Sequence, residues 1–306
     1  MSAENKSGYK STLKSTDTEE FIDIHFYRPI GYQWALFFQK RGITPNQITI
    51  ASIFIGVAAG VCFYFTSCWV NLIGVLLLIW ANSYDSADGQ LARMTNQKST
   101  LGRILDGACG DFWFGAIYIA IIARLWPDWN FWILILALIA GYSHTKQAAM
   151  ADYFRNIHLL FLNGKKGSEL DNSKDLQEKY PEVSWKEQPF IKFFEFMYLN
   201  YTKGQEKWTP QIQRMFEVIN TKYEDQPPKW FRIAYRKKSL PLLKYTNMLS
   251  FNLRSIILFI SVLINMPWAY FIFEITVMNG MLFYMVIRYE RIGRKFRGGL
   301  EIENAV

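Results

Sequence analysis

Several stretches of this chain run for close to the ~20 nearly uncharged, apolar residues that an α-helix needs to cross about 30 Å of hydrocarbon. An ordinary soluble globule is thereby excluded. The expected fold class is all-α: a polytopic membrane helix bundle with six transmembrane helices at 48–67, 69–92, 101–126, 129–144, 248–266 and 268–288. The whole-chain mean hydropathy is near zero only because these runs are averaged with a long polar stretch.

An even number of spans puts both ends on one side, and basic residues say which. Lys40 and Arg41 precede the first span, Arg93, Lys98 and Arg103 lie between the second and third, and Lys146 and Arg155 follow the fourth. Arg288, Arg291, Arg294, Lys295 and Arg297 close the chain, whereas the opposite connections hold only Arg124. The positive-inside bias then places both termini in the cytoplasm, in a multi-pass protein expected in a bacterial inner membrane. A net charge of +8 beside such spans points to anionic lipid headgroups, and no nucleic acid is expected as a partner. Cys62, Cys68 and Cys109 lack the paired spacing of a disulfide framework or zinc site and read as packing residues. The start of the chain lacks the basic, apolar and small-residue pattern of a secretory signal.

Five segments follow. Residues 1–47 form a cytoplasmic N-terminal segment, in which Pro29 suits the opening turn of a helix and Ile30, Trp34, Phe37 and Phe38 recur at helical spacing, predicting an interfacial helix. Residues 48–151 hold the first four spans, where Gly56 and Gly60 form a GxxxG that lets a neighbouring helix approach closely. Residues 152–247 are too long for a structureless loop and are expected to be a partly helical cytoplasmic insertion. Within it, Thr209 and Pro210 read as an N-cap and first helical residue. The aromatic-rich stretches 188–201 and 229–238 suit either the headgroup boundary or the core of a small soluble subdomain. Residues 248–290 carry the last two spans and 291–306 a basic cytoplasmic tail.

A carboxylate inside a span costs about 2.5–3.5 kcal/mol on insertion scales, so such residues face a protein interior or cavity and are functional by default. Here Asp85 and Asp88 lie toward the cytoplasmic end of the second span, and Asp106 and Asp111 in the cytoplasmic part of the third. Asp85, Asp88 and Ala92 share a helix face, as do Gly102 and Asp106, so two antiparallel helices can converge their acids on one point. Clustered carboxylates repel unless a cation compensates, and hard oxygen ligands suit Mg²⁺ or Mn²⁺. Gly89, Ala92 and Gly102 leave room for a flat or bulky ligand, while Arg93 supplies a fixed positive charge for phosphate. A plain ion-pair network, with Arg93 and Arg103 neutralising the acids, is the bland alternative.

The run from Asp85 through Asp88-Gly89 to Ala92-Arg93, followed by eight residues, Gly102, three residues and Asp106, resembles the signature of the CDP-alcohol phosphotransferases. That signature reads D-x2-D-G-x2-A-R-x8-G-x3-D-x3-D. Thr44-Pro45-Asn46, with Thr49 one turn later, is similar to the family's approach to the first span, beside the nucleotide. The resemblance implies attack by an acceptor hydroxyl on the β-phosphorus of a CDP-alcohol lipid donor, expected to be CDP-diacylglycerol, with release of CMP. It implies that Asp85, Asp88, Asp106 and Asp111 hold the metal, that Asp111 takes the acceptor's proton with Asp106 beside it, that Arg93 steadies phosphate, and that Gly89, Ala92, Gly102 and Thr49 shape the nucleotide pocket. The family's last aspartate, however, falls on Gly110, and Asp111 comes one place later, about 140° from Asp106 on a regular helix. A π-bulge at 107–110 would return it to the cluster.

Arg254, Lys146 and Arg155 are candidate contacts for a polar hydroxyl acceptor, and Asn252 with the basic residues tilts that acceptor toward inositol or inositol phosphate. Glu274 reads as a structural or interfacial acid. A transporter would show paired inverted halves with a midplane site, which this pattern lacks. A catalytically silent lipid- or nucleotide-binding scaffold of the same fold is the rival left by Gly110. Membrane lipids are partners in either case, and a homodimer is compatible with both.

Overall fold

The computed structural model describes residues 8, 15–97, 100–182 and 184–302. Lys98 and the Arg103 side chain, used above for orientation, lie outside the described residues, as do the extreme ends of the first and last predicted segments. The described chain is helical throughout and divides into two compact units, one of residues 1–144 and 251–276, the other of 145–250 and 277–306.

In the first unit, α1 (Arg28–Lys40) follows a π-turn at Asp23–Tyr27 and begins with Pro29 in its first turn. Its Ala35 and Phe38 pack with Ile48, Ala87 and Leu91. Gly42, at φ 68°, turns the chain toward α2 (Pro45–Cys62), whose start is fastened by the Thr44 backbone N–H donating to Gln47 Oε1 at 2.9 Å. Then come α3 (Cys68–Thr95), closed by Asn96 in the left-handed conformation, and α4 (Thr100–Trp129). The GxxxG works as expected. A Cβ at Gly56 would overlap the Trp113 ring, and one at Gly60 would come within 2.9 Å of Ala116. Between lipid-embedded helices, such close approach supplies the dispersion contacts that burial in water would otherwise provide. Trp113 Nε1–H seals the contact by donating to the Ser52 carbonyl at 3.0 Å.

At the other end of these helices the buried Arg124 donates to the Phe63 carbonyl (2.9 Å) and to Asn265 Oδ1 (2.6 Å). The sole basic residue of those connections is therefore a clamp, its charge satisfied by helix-end acceptors. The unit is completed by the first half of α5 (Phe131–Asn163), by α10 (Phe251–Leu263) and by α11 (Trp268–Phe273).

The second unit contains the rest of α5, then α6 (Ser173–Lys179), α7 (Pro189–Lys207), α8 (Pro210–Tyr223), α9 (Lys229–Met248) and α12 (Asn279–Ile302). The insertion has the expected helical structure. Phe231 and Tyr235 are fully buried, with Phe161 and Phe296 against them, so this aromatic stretch is core. Thr209 does not cap α8. Its hydroxyl donates to the Gln205 carbonyl at 3.0 Å, and the free N–H groups of Gln211 and Ile212 donate instead to the Glu290 carboxylate at 2.9 and 3.2 Å. A charged acceptor serves that helix end better than a hydroxyl. At Gly293 a Cβ would stand 3.0 Å from the Ile212 backbone nitrogen, so glycine lets α12 and α8 touch.

By length and composition, five helical stretches among the described residues could cross a membrane: Pro45–Cys62, Cys68–Thr95, Leu105–Trp129, Lys229–Leu263 and Trp268–Ile302. The expected span 129–144 is not among them. It lies at the start of α5, whose apolar run gives way at Ser143, His144, Lys146 and Gln147 before a full bilayer thickness is reached. The fold is a polytopic helical membrane protein.

Candidate active site

Asp85, Asp88 and Asp106 each offer a carboxylate oxygen within 4.8 Å of the others. Helix periodicity puts the first two on one face of α3, and α4 presents the third. Their exposures are graded: Asp88 is buried, Asp85 half-buried and Asp106 exposed. The cluster thus has a closed end and an open end. The Thr49 hydroxyl, buried on α2, donates to Asp88 Oδ2 at 2.5 Å, fixing the innermost carboxylate. Ser52 and Cys109 form a further layer, with Oγ and Sγ 3.2 Å apart and the thiol in hydrogen-bonding range of Asp85. Sequence reasoning saw Cys109 only as packing and did not single out Ser52; their signal was the i, i+3 relation of Ser52 to Thr49 and of Cys109 to Asp106 on the same helix faces.

Three carboxylates within a few ångströms, the innermost held by a neutral hydroxyl, fit a hard divalent cation. Beside them Arg93 has Nε and Nη2 buried and without a hydrogen-bond partner. Such donors are costly to leave unmade and suit a charged acceptor such as phosphate. A Cβ at Gly89 would stand 3.4 Å from this guanidinium, and any longer side chain there would displace it. Ala92 and Gly102 are half-buried small residues on the same two helices. Arg93 Nε and Nη2 are not spent on the aspartates, and the Arg103 side chain of the ion-pair alternative lies outside the described residues.

Asp111 is not brought to this group; it is exposed. Helix α4 is regular from Thr100 to Trp129, without the π-turn anticipated at 107–110. A Cβ at Gly107 or Gly110 would meet nothing within 4 Å, so no neighbour presses the helix into an extra residue. The π-turns lie elsewhere, at Asp23–Tyr27 and Glu274–Met278.

The acceptor candidates have partners of their own. Arg254 is 1% exposed and donates to both oxygens of Glu274, at 2.9 and 3.2 Å, with His144 also against its guanidinium. Asn252 donates to Glu20 (2.8 Å) and Asp23 (3.1 Å). In the second unit, Arg155 donates to Ser250 at 2.7 Å and Asn247 at 3.3 Å, and the Lys146 ammonium lies beside Gly204. Arg254 is thus engaged in a buried ion pair with Glu274.

Residues 42–153 match the family model described as CDP-alcohol phosphatidyltransferase. The chain is 29% identical over 124 residues to cholinephosphotransferase 1 of Homo sapiens, covering 36% of this chain and 30% of that protein. It is 31% identical over 100 residues to a CDP-diacylglycerol–glycerol-3-phosphate 3-phosphatidyltransferase of Rickettsia bellii, covering 32% and 55%. It is 34% identical over 101 residues to an archaetidylinositol phosphate synthase of Pyrococcus horikoshii, covering 33% and 51%. The chain spans about a third of the length of the cholinephosphotransferases it matches.

Proposed function

We propose that this protein is a CDP-alcohol phosphotransferase of the membrane, moving a substituted phosphate from a CDP-alcohol to an acceptor hydroxyl and releasing CMP. The observation that carries the reading is the convergence of Asp85, Asp88 and Asp106 beside the unpartnered donors of Arg93, within the segment that matches the family. Asp85, Asp88 and Asp106 would hold Mg²⁺ or Mn²⁺, which supplies charge neutralisation at the pyrophosphate. Arg93 binds and orients a phosphate through Nε and Nη2. Thr49 keeps Asp88 in place, and Gly89, Ala92 and Gly102 leave space for the nucleotide.

As the acceptor oxygen bonds to the β-phosphorus, the bond from that phosphorus to the CMP oxygen breaks and the acceptor's proton must leave. Asp106, the exposed carboxylate of the three, is the group we assign to receive it, with Asp111 peripheral. The basic residues flanking the spans support an opening toward the cytoplasm; both termini share that side only when the start of α5 crosses as a sixth span. CDP-diacylglycerol is the donor we favour, because a site at helix-end depth lets its tails stay in the bilayer. With Asn252 and Arg254 already partnered, the preference for an inositol-type acceptor loses its support from those two residues.

The test is CMP release by purified protein with Mg²⁺ or Mn²⁺. CDP-diacylglycerol and CDP-choline are supplied as alternative donors, each with inositol, inositol phosphate, serine, glycerol phosphate and diacylglycerol. A productive pair identifies donor and acceptor together. Silence with every pair, alongside retained Mn²⁺ and nucleotide binding, would instead favour a silent scaffold, the reading to which the exposed Asp111 lends weight.

The same assay weighs Asp111. Asp111→Asn is expected to leave turnover within about twofold of wild type, the scale of a surface substitution. A loss of about 10²–10⁴-fold, the contribution of a general base, would return Asp111 to the chemistry.

A further inference from the structure

We propose that helix α7 (Pro189–Lys207) lies in the plane of the bilayer surface, its aromatic face seated among the lipids of the membrane the protein spans. This goes beyond the transferase reading and does not depend on it. The segment lies outside the family match, which ends at residue 153.

Helix α7 has two faces of different fate, which meet between Phe194 and Gln205. On one, Leu199, Thr202 and Gln205 are buried within the second unit, and Gln205 Nε2 donates to the Ala149 carbonyl of α5 at 2.8 Å. Lys192 on this side is also buried, donating to the Tyr180 carbonyl and lying over the Tyr180 ring. Glu206 accepts from the backbone N–H of Ser173, tying α6 to the same side. The helix is therefore held in place by hydrogen bonds that do not involve its other face.

That other face is apolar and open. Phe190 is 80% exposed, Phe194 37%, Met197 52% and Tyr201 38%. At 100° per residue these four fall within about 60° of one line. Water-exposed rings in such a row are not how an isolated soluble surface is built, and a helix with this polarity of faces is the form that rests at the headgroup and acyl boundary.

The occupant follows from where the line leads. Its next member is Trp208, whose ring stacks on Phe283 with centroids 6.0 Å apart and planes 16° from parallel. Phe283 is 54% exposed on the stretch Trp268–Ile302, which is long and apolar enough to cross a membrane, with Tyr284 and Ile287 exposed beside it. The aromatic face thus runs into a surface that is itself lipid-facing once that stretch crosses the bilayer. The Lys146 ammonium lies by Gly204 at the edge of this line, and Lys203 and Lys207 are exposed further round the helix, giving basic charge for phosphate headgroups. A second copy of the chain would have to displace lipid from Phe283 to cover the same line.

The experiment uses the full chain in liposomes of phosphatidylcholine and phosphatidylglycerol, with Cys62 and Cys68 replaced by alanine and serine. Nitroxide labels are placed singly through Phe190→Cys, Phe194→Cys, Met197→Cys and Tyr201→Cys, with Lys186→Cys and Lys203→Cys as controls. Power-saturation EPR should give an oxygen-to-nickel-chelate accessibility ratio several-fold higher at the four aromatic-face positions than at the controls. Equal ratios at all six positions would overturn the proposal, as would dipolar broadening between copies without raised oxygen access. A Phe190→Ser/Phe194→Ser/Met197→Ser variant should keep its helical circular dichroism while the label at Tyr201→Cys falls to the control ratio. An unchanged ratio in that variant also counts against the proposal.

Discussion

Asn in place of Asp88 is expected to reduce CMP release by at least about 10²–10³-fold, the cost of removing one preorganised electrostatic partner from a transition state. Asp88 is the innermost of three carboxylates that share one point, and no other acid among the described residues joins that group. Binding offers a second readout. A ligand that binds only the folded state at one hundred times its Kd stabilises it by about 2.7 kcal/mol. Mn²⁺ should therefore raise the unfolding temperature of the wild type and leave that of Asp88→Asn unmoved. Without metal the order should reverse, because the substitution removes one of three mutually repelling charges, so the variant should unfold at a higher temperature than the metal-free wild type. A variant that turns over normally and still responds to Mn²⁺ would remove the cation from the site.

Glu274→Ala is expected to destabilise the protein by about 3–5 kcal/mol, the cost of leaving one member of a buried ion pair alone. The Arg254 guanidinium is almost wholly inside the first unit, paired at 2.9 Å with a carboxylate of zero exposure. Replacing both partners together, as Arg254→Leu/Glu274→Leu, should recover most of that loss, since apolar residues of similar volume do as well as a buried pair. Thermal unfolding in detergent checks both. Turnover then separates structure from chemistry. If Arg254 serves only its ion pair, the double variant keeps its activity, whereas a stable but inactive double variant would make Arg254 an acceptor-binding residue.

The acid triad was legible because its geometry is local. Two aspartates three residues apart share a face on any helix, and a short turn before an antiparallel partner brings the third to the same depth. Gly110 and Asp111 were legible only as a mismatch, since whether a helix takes up an extra residue depends on neighbours no local pattern reveals, and here there are none near Gly107 or Gly110. The partners of Arg254 and Asn252 were out of reach for a different reason. Asn252 is bound by acids 229 and 232 positions away, and the Glu274 that binds Arg254 lies across a turn and opens a π-turn. Aromatic spacing left both stretches open: Phe231 and Tyr235 are interior while Phe190 and Phe194 face outward, though both pairs have the same spacing. Periodicity identifies a stripe, and only tertiary packing says what lies against it.

Glu290 takes on added meaning in this light. Sitting on the final helix, it grips the start of α8 nearly eighty residues upstream, and Gly293 one turn later lets the two backbones meet. The insertion and the C-terminal helix are thus a single heritable module. A chain that lost one would be left with an ungripped helix end or a surplus half-buried acid, so a graft moving the insertion into another protein must carry the last helix along with it.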